Sequence, residues 1–184
     1  MLNRGIVLKI IPEKNLSIIF DSSKGKIYCK TEKEEIRLIN GAHLEYELEN
    51  KKNSLILQRI AIINDPFKLA KFDLVFFHGI LQTTNSFLTL EDPNYEVFYL
   101  LEFFFYNHEK LNSKKIQKIY FCKLLSLLGI CPELKQAQIY FYKLITFPID
   151  IIVDLEIDLS IERILDFWIN YVTESHPNHK NLML

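Results

Sequence analysis

Cysteine is scarce in this 184-residue chain: Cys29, Cys122 and Cys131 are odd in number and form no C-x-x-C pair. That argues against a disulfide framework and against a four-ligand zinc site, and it fits a reducing compartment. Glycine and proline are also few, at 5 and 6, and no Gly-rich phosphate loop or low-complexity linker can be found. Long hydrophobic runs are missing too, since none approaches the about 18 residues of a membrane span. The opening MLNRGIVLKII has a short apolar run flanked by charges and no small-residue cleavage site, so a cytoplasmic location without membrane attachment is expected.

The motifs of catalysis are absent as well. There is no G-x-S-x-G, no H-E-x-x-H, and no carboxylate pair in a setting that would shift a pKa. Asp154, Glu156 and Asp158 alternate in DLEID, which reads as one charged face of an extended segment. The HPNH of His176 to His179 has metal-like spacing but sits in a polar tail, where solvated surface is the simpler reading. A non-enzyme with no metal, no cofactor and no small-molecule substrate is expected.

What the chain does have is a 49% hydrophobic fraction with 14 Phe and 9 Tyr, enough for a proper core. The net charge of -1 is unevenly placed: residues 1–146 hold 20 Lys and Arg against 16 Asp and Glu, and residues 147–184 hold 2 against 7. A nucleic-acid surface would therefore lie before Phe147.

Two periodicities divide the sequence. GIVLKII, LSIIFD and KIYCKT are short and rich in β-branched and aromatic residues, with Gly25 of SSKG marking a hairpin turn. IRLI leads into the turn signal Asn40-Gly41, and AHLEYEL and LILQRIAII follow. About five strands in 63 residues, with no room for crossover helices, predict an antiparallel, small barrel. At Pro66 the period becomes helical. Helices are expected over FKLAKFDLVFFHGILQTTN and NYEVFYLLEFFFYNH, then from a Ser113 N-cap with Ile116, Ile119, Tyr120, Leu124, Leu127 and Leu128 on one face. Another is expected after a Ser160 cap, with Ile161, Ile164, Leu165, Trp168 and Val172 in its apolar stripe. The fold class is thus α+β: an antiparallel five-stranded OB-type barrel over residues 1–63, then a helical domain over 64–184.

The run LLSLLGICPEL, with Phe121, Leu124, Leu125, Leu128, Gly129, Pro132 and Leu134, resembles the RecO recombination-mediator family, where a leucine-rich phrase ending L-G-x-x-P-x-L recurs. Leu16, Phe20 and Gly25 are similar to that family's first hairpin, INGAHLEYEL to its P-G-x-x-L segment, and WINYVTESHPNHKNL to its closing helix. The resemblance implies DNA repair and recombination: binding single-stranded DNA, annealing complementary strands and helping to load recombinase, with RecR and single-strand-binding protein as partners. Two departures stand out. The four-cysteine knuckle that often follows the P-x-L is replaced by KQAQIYFYKLITF, and the family's basic run after the hairpin is replaced by KTEKEEIR, in which Glu32, Glu34 and Glu35 offset Lys30, Lys33 and Arg37.

The residues themselves suggest a binding face. In KIYCK a period of two puts Lys26, Tyr28 and Lys30 on one side of a strand and Ile27 and Cys29 on the other. Lysines that neutralise phosphates beside an aromatic ring that stacks a base form a single-strand site, and OB barrels bind along strands two and three. Lys24 and Lys9 flank this strip, and Lys114, Lys115 and Lys118 form a second cluster that reads equally as a solvated helix face. A protein-interaction module without DNA binding, and an RNA-binding OB protein, are the alternatives; stacking does not distinguish the two sugars.

Overall fold

Five strands form where β-branched and aromatic residues alternate: β1 (Asn3–Ile11), β2 (Leu16–Asp21), β3 (Gly25–Thr31), β4 (His43–Lys51) and β5 (Ser54–Asn64). They belong to a computed structural model that describes residues 2–31, 37–52, 54–68, 73–131, 138–152 and 159–175. The strands close into a barrel in the order β1-β2-β3-β5-β4, and β4 pairs back onto β1. This is the OB-type barrel followed by helices that the sequence predicts.

The sheet, however, is mixed and not purely antiparallel. Strict alternation of direction cannot be completed around a ring of five strands, so one seam must be parallel. That seam is β3 with β5, where Cys29, Lys30 and Thr31 pair with Leu55, Ile56 and Leu57. The described residues of IRLI, Arg37 to Ile39, form no strand. They run into the Asn40-Gly41 turn, which is tied to β1 because the backbone amide of Ile10 donates to Asn40 Oδ1 at 2.9 Å.

Inside the barrel, Val7, Ile19, Ile27, Cys29, Ala42, Leu44, Tyr46 and Leu57 make one buried cluster. The β2–β3 turn is set by Asp21, whose Oδ1 accepts from the backbone amides of Ser23 at 2.8 Å and Lys24 at 2.9 Å and from the Ser23 hydroxyl at 2.8 Å. Gly25 completes the turn at φ +76°, and a Cβ there would meet the backbone of Asp92.

The chain divides into two compact units after Leu101. The sequence places its boundary at Asn64, where the strands do end. The first unit also holds α1 (Leu74–Phe87), N-capped by Asp73, whose carboxylate accepts from Phe76 N at 3.0 Å, and the start of α2 (Tyr95–Asn107).

The second unit continues α2 and adds α3 (Lys114–Leu127), α4 (Gln138–Thr146), the short α5 (Ile149–Ile152) and α6 (Leu159–Ser175). Ser113 caps α3 as expected, accepting from Ile116 N at 3.2 Å. Its predicted stripe is buried at Ile119, Tyr120 and Leu124, with the Tyr120 ring edge-on to Phe104 at 5.4 Å. The second half of the helix is not amphipathic, because every residue from Phe121 to Ser126 is buried. Gly129 ends α3 at φ +76°, with Ile130 N donating to Leu125 O at 2.9 Å and Gly129 N to Ser126 O at 3.0 Å, a Schellman cap.

ITFPIDII is helical up to Thr146 and again in α5, not extended. α6 begins at Leu159, so Ser160 lies in its first turn and does not precede it. Trp168 is fully buried in the core, as the stripe predicts. The Glu-rich 32–36 segment, Pro132 and Leu134, the DLEID carboxylates and the HPNH histidines lie outside the described residues.

Candidate nucleic-acid interface

The β-ladder register determines which side chains share the outer face of the barrel. Ile6 pairs with His43 and with Phe20, and Phe20 pairs with Lys26, so these four form one transverse row. Helical residues of the same unit cover that row. The Phe98 ring stands edge-on to Phe20 at 5.5 Å and to His43 at 6.2 Å. Lys26 Nζ donates to the carbonyl of Asn85 at 2.6 Å, and its own carbonyl accepts from Glu91 N at 3.0 Å.

Lys26 therefore faces outward, as the period of two predicts, yet is only 9% exposed, and burial lowers its pKa. The ammonium serves the barrel's own cover. A period says which side of a sheet a residue occupies, not whether that side is capped.

The next two rows are exposed at Lys9, Tyr28 and Lys30, while Ile18 between Lys9 and Tyr28 is buried. Lys9 pairs with Ile18 and Ile18 with Tyr28; beyond them Ile11 pairs with Leu16 and Leu16 with Lys30. Tyr28 is 43% exposed, and Lys9 and Lys30 are exposed. A bulge between Val7 and Lys9 turns Lys9 onto this face beside Ile18. Adjacent strands lie ~4.7–4.9 Å apart, so Lys9 and Tyr28 stand two strand spacings apart on either side of the buried Ile18, and Lys30 follows two residues beyond Tyr28 on the same face, with the half-buried Ile11 and Leu16 in its row.

The remaining predicted cations are placed elsewhere. Lys24 is exposed in the β2–β3 turn, at the opposite end of β3 from Lys30. Lys114 and Lys115 are exposed in the first turn of α3, in the second unit. Lys118 binds across to α6, with Nζ 2.8 Å from Asp166 and 3.5 Å from Glu162; the hydrogen bond to Asp166 leads the effects that raise its pKa. Its charge is thus already matched by two carboxylates.

The sequence reading missed a cleft of about 620 Å³ beside the open rows, which Leu16 lines together with Asn15, Arg37, Phe67 and His78. Its walls come from stretches far apart in sequence, and no local pattern announces it.

Cys29 is buried in the barrel, where burial, followed by the Asp21 charge, pushes its thiol up to about 12, and Cys122 is buried and likewise raised. Cys131 is exposed. Among the described residues no group of three or more His, Cys, Asp or Glu could hold a metal ion, and no helix is long and apolar enough to cross a membrane. No protein-family model matches the chain, and no curated protein matches it at a significant level.

Proposed function

We propose that this chain is a non-enzymatic, RecO-like mediator that binds single-stranded DNA on the open outer face of β1, β2 and β3, promotes annealing and assists recombinase loading in the cytoplasm. The observation that carries the reading is the grouping of Lys9, Tyr28 and Lys30 on the exposed face of a closed five-stranded OB-type barrel. Two ammonium groups offer phosphate contacts, and the ring offers a stacking surface that any base can use. RecR and single-strand-binding protein are the partners implied by the resemblance of the hairpin and of the LLSLLGICPEL corner.

An interaction module without DNA binding is the second reading. It is favoured by the burial of Lys26 and the pairing of Lys118, which remove two of the seven lysines expected to contact DNA. A salt titration of the full chain against labelled oligothymidylate separates the two. The mediator reading expects log-log dependence with a slope near 0.7 per phosphate contact, about 1.4 for Lys9 and Lys30 alone. Absence of binding at low salt supports the interaction module. Tighter binding to the matching RNA oligomer would assign the barrel to RNA.

A further inference from the structure

The cleft beside the strip has its own chemistry. About 620 Å³ falls within the ~300–1,000 Å³ of small-ligand sites. Its floor includes Ile10, Leu38 and Ile39, partly buried side chains packed against the barrel core. Arg37 and His78 are the titratable groups among the described residues that line it, and none of those residues is acidic. Among the described lining residues, Arg37 offers an anion a partner. Phe67 stands at its edge with 61% of its surface exposed, an aromatic ring left uncovered by the fold. Ser17, 4% exposed, adds a hydroxyl to the wall.

The cleft adjoins the strip at Leu16, which lines it and is also the cross-strand neighbour of Lys30. A strand laid over Tyr28 and Lys30 therefore runs to the mouth of the cleft.

We propose that this cleft takes one unpaired nucleobase with its phosphate from the single-stranded DNA on that face, the base lying on the apolar floor against Phe67 and the phosphate meeting Arg37. This rests on the reading of the strip as a DNA-binding face and extends it. The open rows hold any backbone, whereas the cleft admits only a base that is free of its complement. Duplex DNA keeps its bases stacked and paired, so it is excluded by shape and the site selects single strands.

The test uses the full chain, an oligothymidylate carrying one fluorescent adenine analogue whose emission reports stacking, and an oligomer of the same length whose sugars carry no bases. Phe67→Ala should weaken binding of the base-bearing oligomer by ~5–150-fold, the equivalent of one lost stacking contact, and should leave binding of the baseless one unchanged. Arg37→Glu should weaken both. The analogue's emission should change on binding to the parent and much less with Phe67→Ala. Both side chains are exposed, so melting temperatures should hold; if Arg37→Glu lowers its own, Arg37→Gln gives the same readout.

If both variants bind like the parent while a Lys9→Gln, Lys30→Gln pair does not, the cleft assignment is overturned and the strip stands. If the parent binds neither oligomer, both readings fall together. Preference for the RNA form of the oligomer overturns the DNA assignment.

Discussion

The Tyr46 hydroxyl donates to Asp21 Oδ2 at 2.5 Å, joining β4 to the end of β2 inside the barrel. Both residues are fully buried. With Oδ1 taking three bonds from the β2–β3 turn, this one carboxylate ties a hairpin to the opposite wall. Burial first, and then the Asp21 charge, raise the Tyr46 pKa well above the ordinary tyrosine range, so it remains a donor at working pH. Tyr46→Phe should lower stability by about 1–3 kcal/mol, because a buried acceptor loses its partner. Urea unfolding measures this, and a variant as stable as the parent would deny the bond any structural weight.

His43 predicts a pH dependence. Burial first, with the Arg4 charge second, lowers its pKa from 6.5 to about 4. The folded state keeps the ring neutral while the unfolded chain protonates near 6.5, so its contribution is complete above that pH. Stability should fall by up to about 3 kcal/mol as pH drops from 6.5 towards 4, and this contribution should then level off. His43→Gln, which cannot titrate, should show a correspondingly smaller slope in unfolding curves collected across that range. Parallel slopes in parent and variant would reject the assignment.

Lys26 is predicted to matter for folding and not for DNA. Lys26→Met keeps the stem but removes the bond to the Asn85 carbonyl, which should reduce stability by about 1 kcal/mol. Oligonucleotide affinity of the folded variant should equal the parent's. A clear loss of affinity at full stability would return Lys26 to the binding face.

The open rows predict a division of labour. The Lys9→Gln, Lys30→Gln pair should reduce the salt slope by roughly 1.4 and weaken different single-stranded sequences alike. Tyr28→Ala should cost about 1–3 kcal/mol of binding with little change in slope. Equal salt slopes in the parent and the lysine pair would mean that these residues meet no phosphate.

Local chemistry made much of this legible in the sequence. Alternation in KIYCKT gave β3 its two faces, Gly25 and Gly129 required positive φ, and Ser113 announced the start of α3. Long-range placement was hidden. Lys26 and Lys30 look equivalent along one strand, and the difference between them is set by Asn85 and Phe98, about sixty to seventy positions away in sequence. Lys118 resembles Lys114 until α6 brings Asp166 beside it. IRLI has strand composition, but its end is bound as a turn against β1, and the cleft exists only once Leu16, Arg37 and Phe67 meet.

The parallel seam has a dynamic consequence. Among the described residues β3 and β5 meet only over Cys29 to Thr31, a far shorter zipper than the one joining β4 to β5. Held by so few pairs, it is the natural point for the barrel to breathe. Lys30 sits on that line, paired with Ile56. A strand of DNA anchored there would act as a clasp on the barrel, and slower amide exchange at Leu55 to Leu57 on binding would register it from the protein's side.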